Sequence, residues 1–375
     1  MSHTTLVGER VLAAEGARPA QVRIDGDLIG SVTALDDVQG HGPDVEVLPP
    51  GSVVVPGFID IHVHGGGGHD MAASPDSMRA AVDFHRAHGT TSGLVSLVTA
   101  PVEQLCRQLG WAADLAEAGL VAGAHLEGPF LSHVRCGAQN PAHLKLPDTD
   151  AFSRMYDAAR GHLRMITIAP ELPGALPLVE QAVAAGVVVA VGHTDATYTE
   201  AEAAYVRGAT VATHLFNGMR PVHHREPGPV LASLDAGARC EVINDGIHVH
   251  PAVLREVLAR GADRLVLVTD AIDATGVGDG SYELGGQQVT VSDGAARLDS
   301  GSLAGSTLTM DRAVRRAVKD GIPLEQAVAA AARNPAAAVG LDGVGAIAPG
   351  ARADLVVLDA QLRVTRVMRG GQWIS

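Results

Sequence analysis

Two histidines separated by one residue, His62 and His64, close an apolar stretch and are the first group whose spacing points to chemistry. In a β-strand, residues i and i+2 point to the same face, so we expect the two imidazoles to lie side by side. Neutral imidazole is the commonest metal ligand among protein side chains. The four glycines at 65–68 carry no side chains that would block this strand end. The pair therefore predicts half of a metal site.

Four more ionisable residues end apolar segments further along the chain: Glu127, His193, His214 and Asp270. A single histidine at a strand end is more often a hydrogen-bonded polar residue than a ligand. If the segments are strands of a parallel barrel, however, their carboxyl ends meet at one rim, where the active sites of such barrels lie. Six such groups at one rim are hard to explain without a metal ion, so we predict a metal-dependent active site.

Eight apolar segments between residues 54 and 269 alternate with helical stretches, a pattern typical of parallel strands with crossover helices. The segments are Val54–His64, Thr90–Thr99, Leu120–Leu126, Leu163–Ala169, Val187–Gly192, Thr210–His214, Glu241–Asn244 and Leu265–Thr269. Helices are predicted at Pro75–Ala87, Val102–Ala118, Ala175–Ala185, Thr307–Lys319 and Leu324–Ala332. We predict an α/β fold, a (β/α)8 TIM-like barrel. A doubly wound open sheet is the alternative, but no dinucleotide-binding glycine fingerprint follows the first segment.

Both ends of the chain have the pattern of short β-strands. Apolar and polar residues alternate in Gln21–Ile24, Val45–Leu48, Ala353–Asp359 and Val364–Met368. Short β segments at opposite ends cannot each bury a face alone, so we predict one small β-sandwich domain formed by both termini. The predicted boundaries are 1–55 and 343–375 for the sandwich and 56–342 for the barrel.

Composition excludes several function classes. The net charge of −14 and the aromatic content of 3% argue against nucleic-acid binding, which favours basic surfaces and stacking aromatics. The three cysteines have no CxxC spacing, which indicates a reducing compartment and no disulfide framework. The first residues do not resemble a secretory signal, and no apolar run approaches the ~20 residues of a membrane span. We therefore expect a soluble, cytoplasmic protein that does not bind membranes.

The order of these site residues resembles the amidohydrolase superfamily, with an HxH pair, later histidines at strands five and six, and an aspartate at strand eight. Strand four ends in Ile168-Ala169-Pro170-Glu171 without a lysine, which argues against members that bridge two metals with a carbamylated lysine. The segments HLEGPF, VGHTDAT, THLFNGMRPVHHREPG, NDGIHVHP and LVTDA together look like the N-acetylglucosamine-6-phosphate deacetylase family. The similarity runs nearly end to end and includes PGFID and PGARADLVVLD.

That resemblance implies a ligand set. Glu127, His193 and His214 would bind the principal metal ion, and His62 and His64 would complete a second position that shares Glu127, with Asp270 as a further candidate. Some members of the family lack the HxH pair and carry one metal, so its presence favours two. The cofactor is one or two divalent ions, and histidine and carboxylate ligands suit zinc, iron and manganese alike.

The resemblance also implies substrate contacts. The matching positions are Asn217, Gly218, Arg225, His248, Leu303, Ala304, Gly305 and Ser306. Arg225 and His248 match phosphate-binding residues, and in the family the phosphate site draws on the neighbouring subunit of a homodimer. Gln139 stands where some members have a histidine that polarises the acetyl carbonyl, and glutamine can donate a hydrogen bond but no charge.

The implied activity is hydrolysis of N-acetyl-D-glucosamine 6-phosphate to glucosamine 6-phosphate and acetate, with Asp270 as general base and then general acid. Three alternatives stay open on the sequence alone. One is deacetylation of the galactosamine epimer, another is hydrolysis of a cyclic amide or an N-acyl amino acid, and the third is a non-catalytic scaffold. Asp195 either orients His193 or caps the next helix. His125 is left unassigned, and Cys136 is interpreted as a bystander thiol.

Overall fold

The computed structural model describes residues 3–13, 16–36 and 44–374. Its largest parallel sheet has eight strands, which neighbour one another in chain order. We number these barrel strands first to eighth: Phe58–Asp60, Thr90–Val98, Gly123–Glu127, Leu163–Ile168, Val188–Val191, Val211–Ala212, Arg239–Ile243 and Leu265–Val268. The order of the strands along the chain is therefore also their order in the sheet, as a (β/α)8 barrel requires.

Main-chain hydrogen bonds beyond the first and eighth strands bring the two ends of the sheet together. The amide of Asp270 donates to the carbonyl of His62 at 2.8 Å, and the amide of His64 donates to the carbonyl of Ala271 at 2.9 Å. The sheet thus closes at the carboxyl ends of its strands. The predicted (β/α)8 barrel is confirmed, and the open-sheet alternative is wrong.

The segment predicted as one strand over Val54–His64 consists of two strands. Val53–Pro56 pairs with a carboxyl-terminal strand, whereas Phe58–Asp60 belongs to the barrel sheet. Proline has no amide hydrogen and interrupts a ladder, which explains the break after residue 56. Gly57 follows because a Cβ there would lie 2.1 Å from Oγ1 of Thr91. His62 and His64 therefore lie just beyond the barrel strand rather than within it.

Helices separate the barrel strands, and three more helices follow the last of these strands. They are α1 Pro75–Ala87, α2 Val102–Glu117, α3 Thr149–Ala158, α4 Ala175–Ala184, α5 Tyr198–Val206, α6 Gly228–Asp235, α7 Pro251–Ala259, α8 Met310–Lys319, α9 Leu324–Ala331 and α10 Arg333–Ala338. The five predicted helices are all confirmed within a few residues at their ends. Thr197 caps α5 through a capping box with Glu200, so Asp195 is not the cap.

Aliphatic side chains fill the space between the barrel strands and their helices. Leu105 and Leu109 on α2, Ile166 on the fourth strand and Val189 on the fifth are all fully buried in one cluster. Phe152 on α3 is among the few aromatic residues that contribute. The core matches the composition, in which aromatics make up only 3% of the chain. It supplies the rigid wall from which the loops at the carboxyl ends of the strands project.

An antiparallel three-stranded sheet follows the eighth barrel strand, and the sequence analysis did not predict it. Its strands are Gly280–Leu284, Gln287–Ser292 and Ala295–Leu298. Leu284, Val289 and Val291 pack in a small cluster of their own with Ile272. A two-stranded pair, Gly65–Gly66 with His69–Asp70, follows the first barrel strand. Both insertions carry loops that border the carboxyl ends of the barrel strands.

Strands from both ends of the chain form one shared β unit, as predicted, and the structure connects them in a single eight-stranded sheet. Its members are His3–Ala13, Gly16–Asp25, Leu28–Ala34, Val45–Val47, Val53–Pro56, Leu355–Leu358, Val364–Arg369 and Gln372–Trp373. Val53–Pro56 joins the two groups, because it pairs in parallel with the first of these strands and antiparallel with Leu355–Leu358. Neither terminus could have closed this sheet alone.

The chain divides into two compact units. One comprises Met1–Asp60, His85–Ser92 and Met310–Ser375, and the other comprises Ile61–Phe84 and Gly93–Thr309. All predicted site residues fall in the second unit. The boundaries 1–55, 56–342 and 343–375 stay a prediction. Across the described ranges, no helix combines the length and the apolar character that a membrane span requires.

Candidate metal centre and active site

The six predicted metal-site and catalytic residues come together at the carboxyl ends of the barrel strands. They are His62, His64, Glu127, His193, His214 and Asp270, and all six are buried. Their nitrogen and oxygen atoms form three overlapping triads in which every candidate ligand atom lies within 4.8 Å of the others. Residues scattered over about two hundred positions therefore form one cluster, which we call the six-residue cluster.

Glu127 lies at the centre of the cluster. Its Oε1 is 3.0 Å from Nε2 of both His193 and His214, and 3.3 Å from Nε2 of His62. Its Oε2 is 3.2 Å from Nε2 of His64. A single carboxylate thus faces all four imidazoles, which is the placement that a carboxylate shared by two metal positions needs.

Asp270 completes the side of the cluster formed by the HxH pair. Its Oδ1 lies 3.2 Å from Nε2 of His64 and 3.6 Å from Nε2 of His62. The two histidine Nε2 atoms are themselves 3.2 Å apart. Although these histidines lie beyond the strand, their side chains converge as the i, i+2 spacing predicted.

Each histidine of the cluster turns Nε2 inward and hydrogen-bonds its other ring nitrogen, Nδ1, to a group outside the cluster. Three use main-chain carbonyl oxygens: His64 with Ser96 at 3.1 Å, His193 with Arg135 at 2.9 Å and His214 with Asn217 at 3.1 Å. His62 instead lies 2.9 Å from Oε2 of Glu241. Because a carbonyl or carboxylate oxygen can only accept, Nδ1 carries a hydrogen, and Nε2 is the nitrogen that can bind a metal ion in exchange for its own proton.

Three of the cluster residues have left-handed backbone conformations. φ is +46° at His193, +26° at His214 and +49° at Asp270. Residues other than glycine rarely adopt such values, and they persist only where the surrounding structure holds them. Each of the three lies two residues beyond the end of a barrel strand. The turn there aims the side chain into the cluster instead of along the strand.

The charges of the cluster stabilise one another. Burial lowers the pKa of His64, but hydrogen bonds and charge from Asp270 and Glu127 outweigh burial and raise the pKa to about 9. Burial raises the pKa of Glu127, yet the neighbouring histidines, first among them His62, hold the pKa well below its usual range. Carboxylates that favour positive charge on adjacent imidazoles favour a divalent cation in the same place. The donor set therefore fits a divalent metal ion.

A cavity of about 340 Å³ opens onto the cluster, which is the size of a small-molecule site. The predicted substrate residues that line it are Gln139, Asn217, Gly218, His248, Leu303 and Gly305. Ala304 and Ser306 are buried and are not among the lining residues of this cavity, and the amide of Ser306 donates to the carbonyl of Asp270 at 2.7 Å. Arg225 is exposed and is not among the lining residues of this cavity.

Gln139 is tied to the cluster. Its Nε2 donates to Oε2 of Glu127 at 2.5 Å, and its Oε1 accepts from the amide of Thr99 at 2.7 Å. One amide hydrogen of Gln139 therefore orients Glu127, and its second hydrogen is the one that can face a substrate. His248 is fixed by Asp245, whose Oδ2 lies 2.7 Å from Nδ1 of the imidazole.

Sequence reasoning named Asp195 as a candidate partner of His193 but missed Arg135, which lies between them. Asp195 contacts Nε of Arg135 at 2.8 Å and a terminal guanidinium nitrogen of Arg220 at 2.9 Å. Arg135 in turn supplies the carbonyl that accepts from His193. Asp195 thus orients His193 only indirectly, through Arg135. Its position two residues after His193 was a signal, but nothing in the sequence marked Arg135.

Glu241 and His125 occupy the interior of the barrel beneath the cluster. Glu241 lies between apolar Cys240 and Val242 in the seventh strand, and that charge within the strand was the available signal. Both ring nitrogens of His125 are hydrogen-bonded, to Oγ of Ser96 at 3.0 Å and to Oγ1 of Thr167 at 2.9 Å. Burial and the charge of neighbouring His62 lower the pKa of His125 well below its usual value, so this imidazole is neutral.

Comparison with known proteins agrees with this geometry. The model of the amidohydrolase family matches residues 53–374. N-acetylglucosamine-6-phosphate deacetylase of Lysinibacillus sphaericus is 38% identical over 344 residues, covering 88% of each chain. N-acetylgalactosamine-6-phosphate deacetylase of Escherichia coli O157:H7 is 36% identical over 384 residues, covering 100% of each. A structure of a Mycobacterium smegmatis N-acetyl-D-glucosamine-6-phosphate deacetylase mutant, in complex with N-acetyl-D-glucosamine-6-phosphate, has a TM-score of 0.95 and 46% identity, covering 100% of this chain and 99% of that one. The chain belongs to the amidohydrolase family.

Proposed function

We propose that the protein hydrolyses N-acetyl-D-glucosamine 6-phosphate to D-glucosamine 6-phosphate and acetate. One observation carries the proposal: a buried cluster of four inward-facing imidazoles and two carboxylates lines, through all its members except His62, a cavity of about 340 Å³ that also holds residues matching a sugar-phosphate site. Relatives with deacetylase activity toward amino-sugar phosphates cover the chain from end to end. A non-catalytic scaffold would have no reason to keep all six groups in one buried cluster.

One or two divalent ions would be held by the six-residue cluster. Glu127, His193 and His214 would hold the principal ion, and His62 and His64 would hold a second one with Glu127 and Asp270 shared. Zinc, iron and manganese all suit these ligands. A bound ion lowers the pKa of a coordinated water toward ~7 and polarises a carbonyl, which an amide needs because its carbonyl is a poor electrophile.

Asp270 is the proposed proton carrier. Its side chain lines the cavity and is 10% exposed, and the histidines of the cluster hold its pKa low despite burial. An ionised carboxylate at this place can accept the proton of the attacking water and return it to the departing amine, which cannot leave as an amide anion. The second amide hydrogen of Gln139 is available to the developing oxyanion.

The phosphate group would be bound by His248 from inside the cavity and by Arg225 from a neighbouring subunit. His248 lines the cavity, whereas Arg225 is exposed on the chain that carries it. A guanidinium offers a forked pair of donors that matches a phosphate. We therefore propose a cytoplasmic homodimer in which each subunit completes the phosphate site of the other. Local cations of this kind let an acidic chain bind an anionic sugar.

Acetate release tests the proposal. Purified protein should release acetate from N-acetylglucosamine 6-phosphate, lose that activity after chelation and regain it when zinc, iron or manganese is added back. The same assay with N-acetylglucosamine lacking phosphate provides the control for the phosphate site. Acetate release that chelation leaves unchanged, or no release from metal-loaded protein, would contradict the proposed function.

N-acetylgalactosamine 6-phosphate is the second candidate substrate. The observation that favours it is the Escherichia coli relative, whose name gives that substrate and which covers 100% of this chain. The two sugars differ only in the configuration of one hydroxyl, at C4, so metal and phosphate sites would be shared. Comparing kcat/KM for the two sugar phosphates in one preparation decides between them.

A further inference from the structure

Glu241 gives His62 an outward partner that differs from those of the other cluster histidines. His64, His193 and His214 each turn Nδ1 to a neutral main-chain carbonyl, whereas Nδ1 of His62 lies 2.9 Å from a carboxylate oxygen. Both side chains of this pair are 0% exposed. A negatively charged acceptor makes an imidazole a stronger metal ligand than a carbonyl does. The histidine with the charged partner is therefore His62, one of the candidate ligands of the second metal position.

Burial of the Glu241 carboxylate destabilises the folded protein, so its presence in the barrel interior suggests a function. Its Oε2 contacts His62 and also accepts from the amide of His214 at 3.2 Å. Its Oε1 is buried and has no hydrogen-bond partner within the described residues. A buried carboxylate oxygen without a partner destabilises the fold, and an apolar residue of similar size would avoid that cost. Packing alone does not account for a glutamate in this strand.

We propose that Glu241 is a positioning residue that sets the affinity of the second metal position. It holds His62 with Nδ1 protonated and Nε2 turned toward His64, Glu127 and Asp270. Its charge also serves the balance of the centre, because two divalent ions carry four positive charges and Glu127 and Asp270 alone supply only two negative ones. The inference rests on the proposed metal centre and is independent of which sugar phosphate the protein uses.

The principal position should not depend on Glu241. His193 and His214 keep their own carbonyl partners, Arg135 and Asn217, whatever residue stands at 241. Removal of the Glu241 side chain breaks its hydrogen bond with the main-chain amide of His214. The contacts of the His214 ring remain in place. Loss of metal on replacing Glu241 should therefore be selective for the position formed by His62 and His64.

Metal titration tests the proposal without an activity assay. Metal-free wild type, Glu241→Gln and Glu241→Leu are titrated with zinc by calorimetry, and bound metal is counted by elemental mass spectrometry. We expect two equivalents in wild type and a second binding step weakened about 10- to 100-fold in Glu241→Gln. Glu241→Leu should keep one equivalent. Thr167→Val is the matched control, because Thr167 is equally buried and its hydroxyl contacts His125 and Thr213 but no side chain of the six-residue cluster; it should keep two equivalents.

A double variant decides whether Glu241 acts through His62. If it does, His62→Asn/Glu241→Gln binds metal no more weakly than His62→Asn alone. Unchanged second-step affinity in Glu241→Gln, equal weakening of both steps, additive losses in the double variant, or a single equivalent in wild type would each overturn the proposal. If Glu241→Leu does not fold, Glu241→Gln and the double variant decide. Wild type that binds two ions but releases no acetate would count against the proposed function and not against this inference.

Discussion

Asp270 is fixed by its main chain on both sides, and this determines where its carboxylate can go. Its amide donates to the carbonyl of His62, and its carbonyl accepts from the amide of Ser306 at 2.7 Å. Its φ of +49° turns the side chain away from the strand direction and into the cluster. A proton carrier held in this way loses little orientation freedom during reaction. Ser306 does not line the cavity, but this hydrogen bond connects it to the main chain of Asp270.

Replacing Asp270 with asparagine should remove the proton carrier and leave most of the metal in place. Asparagine has nearly the same shape but cannot accept the proton of the attacking water. We expect kcat to fall about 10²- to 10⁴-fold. Initial rates of acetate release and metal content per subunit are measured on the same sample. Near-normal kcat in a metal-loaded variant would remove Asp270 from the mechanism.

Asp273, three residues further on, makes a pH-dependent contribution to stability. Burial and then the charge of Asp70 raise the pKa of Asp273 from 3.8 to about 6. Because the folded protein binds the proton more tightly than the unfolded chain, stability decreases as pH rises from about 4 to about 6. Asp273→Asn should therefore be more stable than wild type at neutral pH, by about 1 kcal/mol after discounting for partial exposure.

Denaturant unfolding of both proteins near pH 4 and near pH 7.5 measures this effect. The stability difference should be largest at the higher pH and should shrink toward zero at the lower one. A difference of the same size at both values would show that the substitution acts through packing and not through the charge. The rate of acetate release should be unaffected by Asp273→Asn. This variant therefore also serves as a nearby control for the loss of activity expected in Asp270→Asn.

At the scale of elements, the sequence predicted which strand ends meet but not what holds them. Parallel strands finish at one rim, so strand order alone brought Glu127, His193 and Asp270 together correctly. Periodicity could not show that Pro56 divides the first segment. It could not identify Arg135 or Glu241 either, because their contacts join residues 58 and 179 positions apart, a distance over which local pattern has no information.

The ion pairs of Asp195 connect the loop after the fifth barrel strand to the loops after the third and the sixth. Asp195→Asn should loosen Arg135, whose carbonyl orients His193, and should weaken the principal metal position up to about 10-fold. Because the paired side chains are only about 30% exposed, a loss of thermal stability should accompany the change. Zinc titration and thermal unfolding measure the two effects.

Asp114→Asn is the matched control for Asp195→Asn. Asp114 also pairs with an arginine, Arg160, but both side chains are exposed and belong to surface helices and turns away from the cluster. Exposed ion pairs contribute about 0–1 kcal/mol, so this variant should bind metal like wild type. Equal metal affinity in the two variants would show that Asp195 does not position His193.

At the scale of the whole molecule, an acidic chain must present positive charge to an anionic substrate. The net charge is −14, and of the two residues proposed for phosphate binding only His248 lines the cavity. Arg225 lies on an exposed loop, where Nη1 of its guanidinium contacts the imidazole of His224 at 2.7 Å. Among the residues that the structure describes, no carboxylate pairs with this guanidinium. In a homodimer, the second subunit would supply its Arg225 to this cavity, because Arg225 of the same chain does not line it.

A heterodimer with one altered residue in each subunit tests this arrangement. One subunit carries Arg225→Ala and the other Asp270→Asn, with different affinity tags for purification. If Arg225 serves the partner's site, the Arg225→Ala subunit receives an intact arginine and keeps its own Asp270. That heterodimer should then have about half of wild-type activity, although each parent homodimer is nearly inactive.

The alternative arrangement gives the opposite result for a clear reason. If Arg225 serves its own site, one site of the heterodimer lacks the arginine and the other lacks Asp270, so neither turns over. A heterodimer of wild type with Asp270→Asn sets the level expected for one working site, since only one of its two Asp270 side chains is missing. Activity of the mixed heterodimer near that level supports a phosphate site shared between subunits, and activity at the level of the parents contradicts it.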